Sequence, residues 1–70
     1  MGAVRTPVAA LTRRIRAEFE EAPGLQLTVD EAVRFWALDS RTCAHVLQQL
    51  HEAGFLAETA DGRYHRAPAV

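Results

Sequence analysis

Lysine is missing from this 70-residue chain, and all eight of its cationic side chains are arginine. Each positive charge is therefore a planar fork that can grip a carboxylate, a phosphate or a base edge through two hydrogen bonds. Cysteine is nearly missing as well. The single Cys43 excludes an internal disulfide, and with it the class of small secreted scaffolds held together by such bonds. No long apolar run is present, so no membrane span is expected, and no leader or lipidation signal is read. The expected location is a reducing cytoplasm. A positive net charge is lacking too. The formal charge is −1 and the pI about 6.3, so the broad basic surface typical of nucleic-acid binders is not written into the composition.

What is present is a globular balance. Hydrophobic residues make up 49 % and charged residues 24 %, which excludes a disordered chain. The length predicts one domain over residues 1–70, with an ordered core over about 6–66. A chain this short has little interior, so nearly every large apolar side chain is expected inside.

Residues 28–56 hold the densest pattern. Thr28-Val29-Asp30-Glu31 has the spacing of a capping box, in which the Thr28 hydroxyl accepts from the Glu31 N–H and the Glu31 carboxylate accepts from the Thr28 N–H. Val29, Ala32, Val33 and Trp36 then recur as one helical face. Asp39 has the place of a second N-cap, with Leu38 and Cys43 set as a hydrophobic staple. The following helix, residues 40–53, is expected to bury Cys43, Val46, Leu47, Leu50 and Ala53. Gly54 stands where a left-handed cap favours glycine.

The flanks are read the same way. Residues 1–5 predict a loose arm, and Thr6-Pro7 predicts an N-cap followed by proline at the first helical position. Val8, Leu11, Ile15 and Phe19 mark a stripe running to about Glu21, with Arg14–Glu18 and Arg16–Glu20 as pairs on its surface. Ala22-Pro23-Gly24 ends this helix, and Leu25-Gln26-Leu27 alternates like a short strand. Residues 55–59 and 64–67 flank Ala60-Asp61-Gly62-Arg63, and Asp61-Gly62 between two such runs is a hairpin signal. The proline-bearing tail, residues 67–70, is expected to fray.

The fold class is thus mainly α with a small β-hairpin. In this order of elements, and in Thr28, Glu31, Val33, Trp36, Leu38, Asp39, Cys43, Leu47, Leu50, Gly54 and the Asp61-Gly62 turn, the chain resembles the winged helix-turn-helix domains of bacterial transcriptional regulators, in particular the small stand-alone ones. The resemblance covers roughly residues 6–66. It implies three helices plus a wing, with residues 40–53 as recognition helix and 57–66 as wing. The chain departs from the family's pattern at Trp36-Ala37, where many members have a small aliphatic residue and glycine.

At about 100° per residue, Arg41, His45, Gln48 and Glu52 fall opposite the buried stripe of residues 40–53, flanked by Thr42, Ala44 and Gln49. Arginine grips guanine and glutamine grips adenine in the major groove, and the first helical turn is the part that approaches the bases. The candidate DNA-binding residues are Ser40, Arg41, Thr42, His45, Gln48 and, at the hairpin tip, Arg63. The plainer reading of the same residues is a solvated helix face and an ordinary turn. Cys43 and His45 point in opposite directions, and no zinc-ligand spacing exists, so no metal is expected. Cys43 is read as a buried apolar residue. No nucleophile, phosphate loop or carboxylate pair marks an enzyme, and no cofactor is expected. Trp36 is placed in the core; Phe35, at the flank of its stripe, is placed there in preference to a partly exposed position that would meet a second subunit.

Two functions remain open. One is a sequence-specific DNA-binding protein and transcriptional regulator on double-stranded DNA, expected as a homodimer because one small acidic domain makes few phosphate contacts. The other is a protein-interaction module on the same scaffold.

Overall fold

The computed structural model describes residues 7–68. Three helices and three short strands follow one another as α1 (Val8–Glu21), β1 (Gln26–Leu27), α2 (Val29–Trp36), α3 (Ser40–Glu52), β2 (Leu56–Glu58) and β3 (Tyr64–Arg66). The chain is therefore mainly helical with a small antiparallel sheet, the class its periodicities predict. Among the described residues no helix is long and apolar enough to cross a membrane.

Helix α1 begins one residue later than expected. Pro7 is in extended conformation at the N-cap position, and its carbonyl accepts from the N–H groups of Ala10 and Leu11, both at 3.0 Å. Proline thus precedes the helix instead of opening its first turn. Thr6, the expected cap, and the arm before it lie outside the described residues. Ile15 and Phe19 are buried and Leu11 packs partly against them, but Val8 stays 42 % exposed at the helix's open end. Of the two expected surface pairs only Arg16–Glu20 closes, at 3.7 Å.

The caps of the next two helices form as their spacing requires. The Thr28 hydroxyl accepts from the Glu31 N–H at 3.2 Å, and a Glu31 carboxylate oxygen accepts from the Thr28 N–H at 3.0 Å. Asp39 accepts from the Thr42 N–H at 2.9 Å. Each bond satisfies a donor that a helix N-terminus leaves without an intrahelical partner.

Both helices also end in the same way, on different residues. After α3, Gly54 adopts φ 82°, and the Phe55 N–H donates back to the Leu50 carbonyl at 3.0 Å. After α2, Ala37 adopts φ 54° and ψ 44°, and the Leu38 N–H donates back to the Val33 carbonyl at 3.2 Å. Glycine enters this left-handed conformation freely, whereas alanine does so at a cost of about 1–2 kcal/mol. Ala37 is the one non-glycine residue with positive φ among the described residues.

The sheet has the order β1-β3-β2. Leu27 lies opposite Tyr64, which lies opposite Glu58 on the other side. The β2–β3 turn closes through the Thr59 N–H to the Arg63 carbonyl at 2.8 Å, with Gly62 at φ 85°. The paired strands are shorter than the expected runs: Phe55, Thr59 and Ala67 fall outside them. Ala67 is still tied down, its N–H donating to the Phe55 carbonyl at 2.9 Å. The last two residues of the tail expected to fray, 69–70, lie outside the described residues.

One core joins all six elements. It contains Ile15 and Phe19 from α1, Ala32 from α2, and Cys43, Val46, Leu47 and Leu50 from α3, closed by Leu27, Leu56 and Tyr64 from the strands. Leu47 is wholly buried and Leu50 is 4 % exposed, in the same cluster as Ile15 and Phe19, as their helical phase requires. Two expected core members are not in it. Ala53 is exposed, because the chain leaves the core at the α3 C-cap and turns away through Gly54. Phe35 is 56 % exposed. Helix α2 turns Ala32 fully inward and Val29, Val33 and Trp36 partly so, which leaves Phe35 on its flank.

Candidate functional site

Helix α3 is half core and half surface. Cys43, Val46, Leu47 and Leu50 anchor one side, and Ser40, Arg41, Ala44, His45, Gln48 and Gln49 are exposed on the rest, with Thr42 half-buried between them. The candidate residues of this helix are therefore brought to one face by the packing of the other. Arg41 stands in the first turn and makes no ion pair among the described residues. No carboxylate occurs between Asp39 and Glu52. Asp39 is committed to the helix N-terminus, and the Thr42 N–H holds its carboxyl below the usual carboxylate range. At the other end, the Gln48 side-chain amide donates to Glu52 at 3.0 Å, which occupies one of the two groups a glutamine would use on adenine.

Arg63, the candidate residue of the hairpin, is held by two carboxylates. Its Nη1 donates to Glu31 Oε1 at 3.2 Å, and its Nε donates to Asp61 Oδ2 at 3.3 Å. Glu31 Oε1 is the same oxygen that accepts from the Thr28 N–H. The capping box of α2 is thereby tied to the hairpin turn through one guanidinium. Glu31 is held below the usual carboxylate range first by the Thr28 N–H and then by Arg63. Asp61 is held there first by the Thr59 hydroxyl, with which it is hydrogen-bonded, and then by its own backbone N–H and Arg63. Two carboxylates on one guanidinium leave the turn without net positive charge. Nothing in the local sequence announced this bond, because Glu31 is 32 residues away.

The remaining cations are distributed over other surfaces. The guanidinium groups of Arg16 and Arg66 lie 4.7 and 5.6 Å from the centre of the Phe55 ring, which pins α1 to the end of the sheet through cation–π contacts. Arg13, Arg14 and Arg34 are exposed and make no ion pair among the described residues.

Burial raises the pKa of the Cys43 thiol, and Asp39 adds to that shift. Cys43 is wholly buried and His45 exposed, so the two do not converge, and no cluster of metal-binding side chains occurs among the described residues.

Sequence reasoning missed one locality, the turn that ends α2. Here the Trp36 indole N–H is shielded from solvent and meets no acceptor among the described residues, a situation that costs about 1–3 kcal/mol. Phe35 packs edge-on to Trp36 with ring centres 5.2 Å apart, and Trp36 reaches Phe19 in the core at 5.9 Å. A groove of about 20 Å³ opens beside it, lined by Leu11, Arg14, Ile15, Trp36 and Leu38. The signal available in the sequence was the pair Trp36-Ala37, in the place of an aliphatic residue and glycine. Comparison with family models, with curated proteins and with solved structures returns no match to this chain.

Proposed function

We propose that the chain is a sequence-specific DNA-binding protein that presents α3 to the major groove, as its resemblance to winged helix-turn-helix regulators implies. The observation that carries this reading is the exposed face of α3. Arg41 in the first turn makes no ion pair among the described residues, Thr42, His45 and Gln48 stand along the same side, and no carboxylate interrupts them before Glu52. A helix held by its buried side against two other helices is a rigid rod, which is what base readout in a groove about 12 Å wide needs. Arg41 is the leading base-contacting residue, because its fork matches guanine and its charge is independent of pH. With a net charge of −1, a dimer on a two-fold site would double the few phosphate contacts one domain makes.

A second reading, a protein-interaction module, is favoured by one observation. Arg63, the wing's candidate DNA-binding residue, is already held by Glu31 and Asp61. Fluorescence anisotropy on duplexes selected from a random pool separates the two. Under the DNA reading Arg41→Ala loses about 1–3 kcal/mol and relaxes preference at one base pair. If selection enriches no sequence, and wild type and Arg41→Ala bind every duplex alike, the interaction module takes its place.

A further inference from the structure

The two carboxylates on Arg63 hold it exchangeably. Its Nη1 donates to Glu31 at 3.2 Å and its Nε to Asp61 at 3.3 Å. The Arg63 side chain is 39 % exposed, that of Glu31 47 % and that of Asp61 69 %. Ion pairs this open to water are weak, because solvent screens the charges and long side chains give up freedom to meet. A bidentate grip on phosphate uses either Nε with one Nη nitrogen or both Nη nitrogens. Each combination includes a nitrogen already turned to a carboxylate, so a phosphate competes with Glu31 or Asp61 for it. Asp30, beside Glu31 in the first turn of α2, deepens the negative charge of this corner.

Every other group in the cluster keeps a partner when the guanidinium leaves. Glu31 Oε1 also accepts from the Thr28 N–H, and Asp61 accepts from the Thr59 hydroxyl. The backbone of Arg63 is fixed on both sides. Its N–H donates to the Thr59 hydroxyl oxygen at 3.0 Å, and its carbonyl accepts from the Thr59 N–H at 2.8 Å. The side chain can therefore swing off both carboxylates while the turn and the α2 cap stay closed. That makes a side chain with two positions on a fixed frame.

We propose that Glu31 and Asp61 form an autoinhibitory latch that holds the wing arginine off DNA, and that a duplex phosphate captures Arg63 by exchange with them. This rests on the DNA reading of α3 and adds a restraint to it. The restraint falls on binding without regard to sequence, where phosphate contacts supply nearly all the affinity.

The experiment is fluorescence anisotropy of the full chain on a random-sequence duplex over a series of salt concentrations. Glu31→Gln removes the charge and keeps the capping box, in which glutamine serves as glutamate does. Asp61→Asn likewise keeps a residue suited to the turn. Each should tighten binding by about two- to fivefold, and the double variant by more. In the double variant the slope of log affinity against log salt should steepen by about one. In an Arg63→Ala background the same substitutions should lose most of their effect, since only the removal of a nearby negative charge remains. Melting curves matching wild type separate the change in charge from a change in fold. Equal gains with and without Arg63 overturn the latch and leave the α3 reading standing. So does weaker binding in Glu31→Gln and Asp61→Asn, which would mean that the carboxylates aim Arg63 at the phosphate instead of withholding it. If neither wild type nor any variant binds duplex, the DNA reading falls and the latch falls with it.

Discussion

Replacing Ala37 by glycine should stabilise this protein, although it removes a methyl group. Ala37 sits at φ 54° and ψ 44°, a conformation that costs an L-residue about 1–2 kcal/mol relative to glycine. Glycine's extra freedom in the unfolded chain returns about 0.4–1 kcal/mol of that. Ala37 is exposed, so its methyl group contributes little burial. The net gain lies within about 0–1.6 kcal/mol, and its mid-value of about 0.8 kcal/mol raises the melting temperature of a domain this small by roughly 3–6 °C. The same reasoning must run backwards at Gly54, which closes α3 with the same backbone bond at φ 82°. A Cβ there would meet no atom within 4 Å, so Gly54→Ala isolates backbone strain from crowding, and it should lower the melting temperature by a similar amount. Thermal unfolding followed by circular dichroism measures both. Shifts of the same sign in the two variants, or a melting temperature for Ala37→Gly at or below wild type, would refute the account.

Leu50→Ala should cost about 2–5 kcal/mol, since Leu50 is 4 % exposed within the core cluster, and a urea midpoint within error of wild type would mean the site collapses around the gap. Thr28→Ala removes one bond of the capping box and should cost about 0.5–2 kcal/mol, whereas Thr28→Ser should be close to neutral; equal losses in both would point to the methyl group instead of the hydroxyl. Glu31, Asp39 and Asp61 all have folded pKa values held below their ordinary ones. As the pH falls the unfolded chain therefore takes up protons first. This stability is whole above the ordinary carboxylate pKa and drains away below about pH 4. Urea midpoints that fall below that pH in wild type, and less steeply in Asp39→Asn, are the expected outcome; midpoints that rise on acidification would exclude it.

The features legible in the sequence were those whose cause is local. Thr28 with Glu31, Asp39 with Thr42, and Gly54 after Leu50 each work within a few residues, so spacing alone identified them. The α3 core stripe was legible because its period is that of the helix, up to Ala53, where the helix stops and the period stops with it. Misreadings arose where a distant group decides. Phe35 has an unremarkable place beside the α2 stripe, and only the packing of α2 against the other elements leaves it 56 % exposed. Of the two carboxylates on Arg63, Asp61 stands beside it in the chain, whereas the Glu31 oxygen was not legible because it comes from α2. The arrangement of Arg41, His45 and Gln48 on one face was visible from helical phase. The groove beside Trp36 was not, since two of the elements that line it are separated in the chain by β1.

The strand order has a consequence for how the chain is made. Gln26 and Leu27 pair with His65 and Tyr64, so the central strand of the sheet is the last of the three to leave the ribosome. Helix α3 ends at Glu52, and the dozen residues from there to Tyr64 take on the order of 0.6–2.4 s at ordinary rates of synthesis. Helix formation takes microseconds or less. All three helices therefore have time to form and meet while Leu27 still has an unpaired backbone edge. Through that interval the backbone edge of β1 is unpaired, and the arrival of β3 fills the place between β1 and β2, pairing with both.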